Sequence, residues 1–198
     1  SVKIDGSNLG SALAGSLAAT KISANTTSGF SIVEWTGSGS SATIGHGLSE
    51  APTYISVKNL TDTYNWFYGG PFFTNGWSDW MHWNKTDQQG NNSADAWNST
   101  APTASVFSVG SAYNSISSKD YIAYCFHSVE GYSKVGSYEG NGDLDGTFVY
   151  TGFRPAFVMT KSIDSTSDWQ MFDNKREGYN VDNYELEVND NAAEDTTT

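Results

Sequence analysis

The chain has 198 residues, with 22 acidic against 10 basic side chains, a net charge of −12 and a pI near 4.4. That balance repels phosphate backbones and supplies no basic stripe, which excludes nucleic acid, and no apolar run approaches the roughly 20 residues of a spanning helix, so no membrane insertion is expected. A single cysteine, Cys125, excludes an intrachain disulfide and a thiolate metal cluster.

Hydrophobic residues make up 37 % of the chain but aromatics 14 %, so a few large rings carry much of the burial, and 20 glycines with Ser, Thr and Asn fill the gaps between short apolar runs. This texture predicts an all-β fold of short strands and tight turns. Residues 1–28 differ: they hold no aromatic side chain and read as an N-terminal arm that orders against this domain or a neighbouring subunit, or as a linker. Val2 and Ile4 alternate as in a strand, and Leu9, Leu13 and Leu17 would line one face of a helix weakened by Gly10 and Gly15.

From Phe30 the strand signals begin. Phe30–Trp35 alternates, Gly37–Ser41 turns the chain, and an apolar run follows Pro52 over Thr53–Val57. Trp66–Tyr68, Trp80–Asn84, Val106–Val109 and Tyr121–Ser128 are the next strands. Lys134–Tyr138, Thr147–Tyr150, Ala156–Thr160, Trp169–Phe172 and Tyr184–Val188 complete the series.

These runs form a repeat. At an offset of 140 − 37 = 103, Gly37 falls on Gly140, Trp35 on Tyr138, Gly39 on Gly142, Pro52 on Pro155, Lys58 on Lys161 and Trp66 on Trp169. Matched Gly and Pro preserve backbone geometry rather than a reactive group, since His46 meets Val149 and Glu34 meets Ser137. The expected fold is therefore a two-sheet, jelly-roll-like β-sandwich over residues 29–198, built of related half-units 29–130 and 131–198. Counterparts of the strands in 105–128 would fall near 208–231, so the second half lacks two strands. Either the chain stops early, an unseen tail is lost, or strands come from a partner; assembly with further copies is expected, because an open sheet edge templates pairing.

Several ordered motifs carry a family resemblance: Gly45-His46-Gly47-Leu48 before Ala51-Pro52, Trp97–Thr103 leading into Ser105–Ser108, Tyr121–Phe126, Gly131–Lys134 and Tyr150–Val158. Together, over residues 29–194, they resemble an uncharacterised domain of virion proteins of tailed, often marine, bacteriophages. The resemblance implies a structural protein such as a tail-fibre or receptor-binding subunit, assembled in the host cytoplasm and extracellular after release, with other virion proteins as partners. It also implies further strands beyond the acidic Ala-Ala-Glu stretch, and it brings no catalytic residues.

Candidate chemistry is sparse, and no catalytic residue is assigned. Asn141, Asp143 and Asp145 place oxygens at alternate positions as in a calcium loop, but Gly152 stands where a bidentate Glu is needed, which also fits a plain Asx-rich turn. No other cofactor is implied. Cys125 and His127 share a strand face, a geometry open to a thiolate pair and more simply to a buried core cysteine. His46, between two glycines, reads as a turn residue. Glu34, Asp79, Asp143 and Asp145 are acids available to a polysaccharide depolymerase, although no motif surrounds them. Trp77 and Trp80, with Asn75 and Asp79, suggest an aromatic platform for a host glycan, against the alternative of burial; Trp66, through its match with Trp169, reads as core. The leading expectation is a non-enzymatic fibre or receptor-binding subunit. The alternatives are an architectural fibre or capsid-decoration subunit exchanging its arm, and a depolymerase.

Overall fold

A computed structural model describes residues 1–8, 14–91, 93–176 and 184–196. In chain order the strands are β1 (Val2–Ile4), β2 (Ser7–Asn8), β3 (Lys21–Asn25), β4 (Phe30–Thr36), β5 (Ala42–Gly45), β6 (Tyr54–Asn59), β7 (Phe67–Gly69), β8 (Asp79–His82), β9 (Gly90–Asn91), β10 (Val106–Val109), β11 (Asp120–Phe126), β12 (Phe157–Thr160), β13 (Gln170–Asp173) and β14 (Leu186–Glu187). Among the described residues one short helix, α1 (Ser93–Ala96), and a single 3-10 turn at Gly76–Ser78 interrupt them. The architecture is all-β and sandwich-like.

Nine strands form the main sheet in the order β2-β1-β3-β4-β11-β6-β7-β8-β9. Its inner face is built by period-two alternation: Val33 and Trp35 of β4, Ile55 and Val57 of β6, and Tyr121, Ala123 and Cys125 of β11 all point to one side and are buried. The two-stranded sheet β10-β5 covers that face with Ile44, Phe107 and Val109. At the centre Trp35 stacks on Tyr121 (5.3 Å, 12°) and meets Phe107 edge-on, while its indole N–H donates to the Asn114 carbonyl (3.0 Å). On the opposite face a second, smaller core forms where Tyr68, Phe73 and Met81 meet Trp169, with Met159 and Ile163 packed alongside. The three-stranded sheet β12-β13-β14 is thereby held against the back of the main sheet.

The arm belongs to this fold. β1 pairs in parallel with β3, Val2 is buried in the main core, and the Ser1 ammonium donates to the Thr20 carbonyl (3.0 Å). Of the expected helix, Leu9, Gly10 and Leu13 lie outside the described residues, and Leu17 sits in a bend against the core.

The repeat is present in backbone pairing for one hairpin. β6 pairs with β7 as Ile55↔Gly69, Ser56↔Tyr68 and Val57↔Phe67; adding 103 gives Val158↔Phe172, Met159↔Met171 and Thr160↔Gln170, which is the observed β12–β13 register. The matched lysines hold the two hairpin loops alike: Lys58 donates to the Tyr64 carbonyl, and Lys161 to the hydroxyl of Ser167, the residue 103 positions on (3.3 Å). Two expected strands are corrected. Lys134–Tyr138 and Thr147–Tyr150 pair with no strand and lie largely exposed. Their first-half counterparts, β4 and β5, take their ladder bonds from β11 and β10, and the described residues of 131–196 offer no equivalent. An extended segment without a ladder partner gains too little to offset its ordering entropy as a strand.

Candidate functional site

The outer face of the main sheet carries an aromatic groove. The same alternation that buries Ile55, Ala123 and Cys125 turns Tyr54, Ser56, Tyr124 and Phe126 outward on the adjacent strands β6 and β11. Trp66, just before β7, and Trp83, just after β8, wall the groove, and Asn84 and Val188 complete the rim of a cavity of about 410 Å³. That size and an apolar lining with a few polar atoms suit a small-molecule site, for which roughly 300–1,000 Å³ is usual.

The walls are rigid because each ring is fixed from behind. Trp83 stacks on buried Trp169 (4.6 Å, 4°) and donates its indole N–H to the Tyr54 hydroxyl. Tyr54 meets Phe126 edge-on (5.8 Å), and Phe126 packs on Phe30 (4.6 Å). Trp66 leans on Tyr124 (6.0 Å, 36°), and its backbone N–H is held by the Asn84 side-chain oxygen (3.0 Å). The Asn84 amide nitrogen donates one hydrogen to Asn65 (2.9 Å) and carries a second. Burial raises the Tyr54 phenol well above its ordinary pKa, so it stays neutral and keeps a proton to share. Trp66, Trp83, Tyr124 and Phe126 are each half-buried. The groove thus offers ring faces flanked by neutral hydrogen-bonding groups, with no charged side chain in its lining.

The platform expected at 75–80 is placed elsewhere. Trp77 is buried at 7 % exposure, edge-on to Trp97 (5.5 Å), and Asp79, at 1 %, accepts the Asn75 backbone N–H (2.9 Å) and side-chain amide (3.1 Å). Trp80 packs against the main core and meets Phe67 edge-on (5.2 Å). These residues build the turn before β8 and the start of that strand rather than an exposed shelf. Trp66 is corrected in the other direction: it is half-buried on the groove while its match, Trp169, is buried. The groove was missed as a unit, although its signal lies in the sequence, where aromatics occupy the outward positions of β6 and β11.

The remaining candidates lie outside the lining of the groove. Asn141, Asp143 and Asp145 are exposed, and their oxygens close the turn internally: Asn141 accepts from the Asp143 N–H and Asp143 from the Asp145 N–H (both 3.1 Å). Full burial pushes the Cys125 thiol up to about 12, which removes its thiolate at neutral pH. His127 engages the Ser128 carbonyl through Nδ1 (3.0 Å). His46 is fully buried in its turn: Nδ1 accepts the Leu48 N–H (3.1 Å), so Nε2 carries the proton toward the Thr103 carbonyl (3.1 Å). Glu34 pairs with Lys21 on the sheet surface (2.7 Å). Among the described residues one carboxylate group has metal-like spacing, Asp168, Glu187 and Asp190, with ligand oxygens within 4.8 Å. Partial desolvation, then Asp168 and Asp190, raises the Glu187 pKa.

Compared with known proteins, residues 5–198 match the family model described as Domain of unknown function (DUF7483). The chain belongs to that family. No curated protein and no solved structure matches it.

Proposed function

We propose that this family member, whose family description assigns no role, is a non-enzymatic binding module that takes a neutral saccharide in its aromatic groove. The setting we propose is a virion surface structure, as a tail-fibre or receptor-binding subunit. The groove carries the reading: Trp66, Trp83 and Tyr124 present ring faces able to stack on the C–H faces of a pyranose, while the Tyr54 hydroxyl, Ser56 and Asn84 lie at its edge for sugar hydroxyls. The net charge of −12 favours neutral over acidic glycans, which it repels. The virion setting rests on the motif resemblance alone. Glycosidic hydrolysis needs two carboxylates about 5–10 Å apart at the sugar, and none of the lining residues is acidic, so binding fits this groove better than depolymerisation.

Tryptophan fluorescence titration against a panel of neutral and acidic glycans tests the proposal. Trp66→Ala and Tyr124→Ala are expected to weaken binding of a neutral glycan roughly tenfold each, with far-ultraviolet circular dichroism unchanged. Failure of the whole panel to bind sinks it.

A further inference from the structure

We infer that the outer edge of β12 is an acceptor site for an extended strand of a partner polypeptide, one with the alternation of aromatic and small residues found in β11. This inference is independent of the saccharide groove and rests on the matched hairpins. β6 and β12 are equivalent by register, yet β6 is paired on its far side with β11 along its whole length, whereas among the described residues β12 is the terminal strand of its sheet.

Backbone directions agree between the two. Leu60 N–H bonds the Asp120 carbonyl (2.7 Å), so the even-numbered residues of β11 face β6. Asn174 N–H bonds the Ala156 carbonyl (3.1 Å), so the even-numbered residues of β12 face β13, and Phe157 and Met159 direct their N–H and C=O groups to the open edge. At offset 103, Phe157 then stands opposite the position of Phe126, and Met159 opposite that of Tyr124.

Side-chain burial shows the difference between the two edges. Ile55 is fully buried in the main core, flanked within its sheet by Cys125 of β11, and its match Val158 at the open edge is 42 % exposed; Trp35 is 1 % exposed, and its match Tyr138 54 %. A shallow cavity of about 240 Å³ lined by Pro155, Phe157, Val158 and Phe172 flanks this edge. The first half therefore specifies its occupant in its own sequence: an antiparallel strand of about seven residues, entering beside β12 and flanking Val158 as β11 flanks Ile55. Strand addition of this kind gains main-chain hydrogen bonds for affinity and alternate side-chain pockets for specificity.

A synthetic peptide of residues 119–127 carrying Cys125→Ser serves as the probe, added to the full chain. The expected results are saturable binding, lost on scrambling the peptide, and slowed hydrogen exchange at the Phe157 and Met159 amides. N-methylation of the peptide at Tyr124 removes the bond to Met159 and is expected to weaken binding about tenfold, without any change to the protein's own fold. Phe157→Pro should do the same from the protein side, because that N–H faces away from β13. Absence of binding, binding indifferent to the Tyr124 methyl group, or a dimer formed through β12 in sedimentation, which would make a second copy the occupant, each overturns the inference.

Discussion

His46 shows how one buried side chain sets a pH limit. Its Nδ1 must accept the Leu48 N–H, so protonation breaks that bond inside the core, and burial lowers its pKa. His82 is lowered as well, again first by burial, despite Asp87 at 3.3 Å. A folded-state pKa below the unfolded value of about 6.5 means that the stabilisation is complete above 6.5 and is lost as pH falls from there through the folded value. Within that window each histidine steepens the fall by up to about 1.4 kcal/mol per pH unit. Urea unfolding across pH 4.5–7.5 should show this slope, and His46→Gln should flatten it while lowering stability at neutral pH. That His46 lies outside a strand was readable from its glycine neighbours; its full burial was not. That of Trp66 was not, because matching it to Trp169 assumed that equivalent positions share an environment, and burial depends on which strands lie over them.

Among the elements, the hairpins define what the repeat does and does not carry. Gly37 and Gly140 are matched, yet a Cβ on Gly37 would stand 2.2 Å from the Ile116 carbonyl oxygen, while one on Gly140 meets nothing within 4 Å. Gly37→Ala is therefore expected to cost about 2–3 kcal/mol by overpacking, and Gly140→Ala close to nothing. Thermal unfolding reads the difference as a drop of roughly 4–12 °C for the first alone. The sequence pattern placed β4, β6, β10, β11, β12 and β13 within a residue or two, because alternation and turn residues are local signals. It overcalled Lys134–Tyr138 and Thr147–Tyr150, where alternation exists without a ladder partner. It missed β3, a largely polar run whose strand character comes from pairing with β4.

For the molecule as a whole, Trp169 joins the small sheet to the large one. Its indole lies flat on Trp83 and donates to the His82 carbonyl (3.1 Å), so one side chain spans the second core and also backs the groove. Trp169→Ala is expected to cost about 3–5 kcal/mol of that contact. Limited proteolysis should then cut within 155–190 while residues up to 128 stay protected, and saccharide affinity should fall together with the support of Trp83.

The position of β11 has a temporal consequence. It lies between β4 and β6, its odd-numbered residues bonding the first and its even-numbered residues the second, although both precede it by sixty residues or more. As the nascent chain leaves the ribosome, these two neighbours wait apart until residue 126 has emerged, and the central rung is the last of the three to be laid. Closure is late and cooperative, as expected of a topology dominated by distant pairings. A stalled or truncated translation product ending before residue 120 would leave the chain split down its middle, with both halves exposing sticky ribbons to solvent.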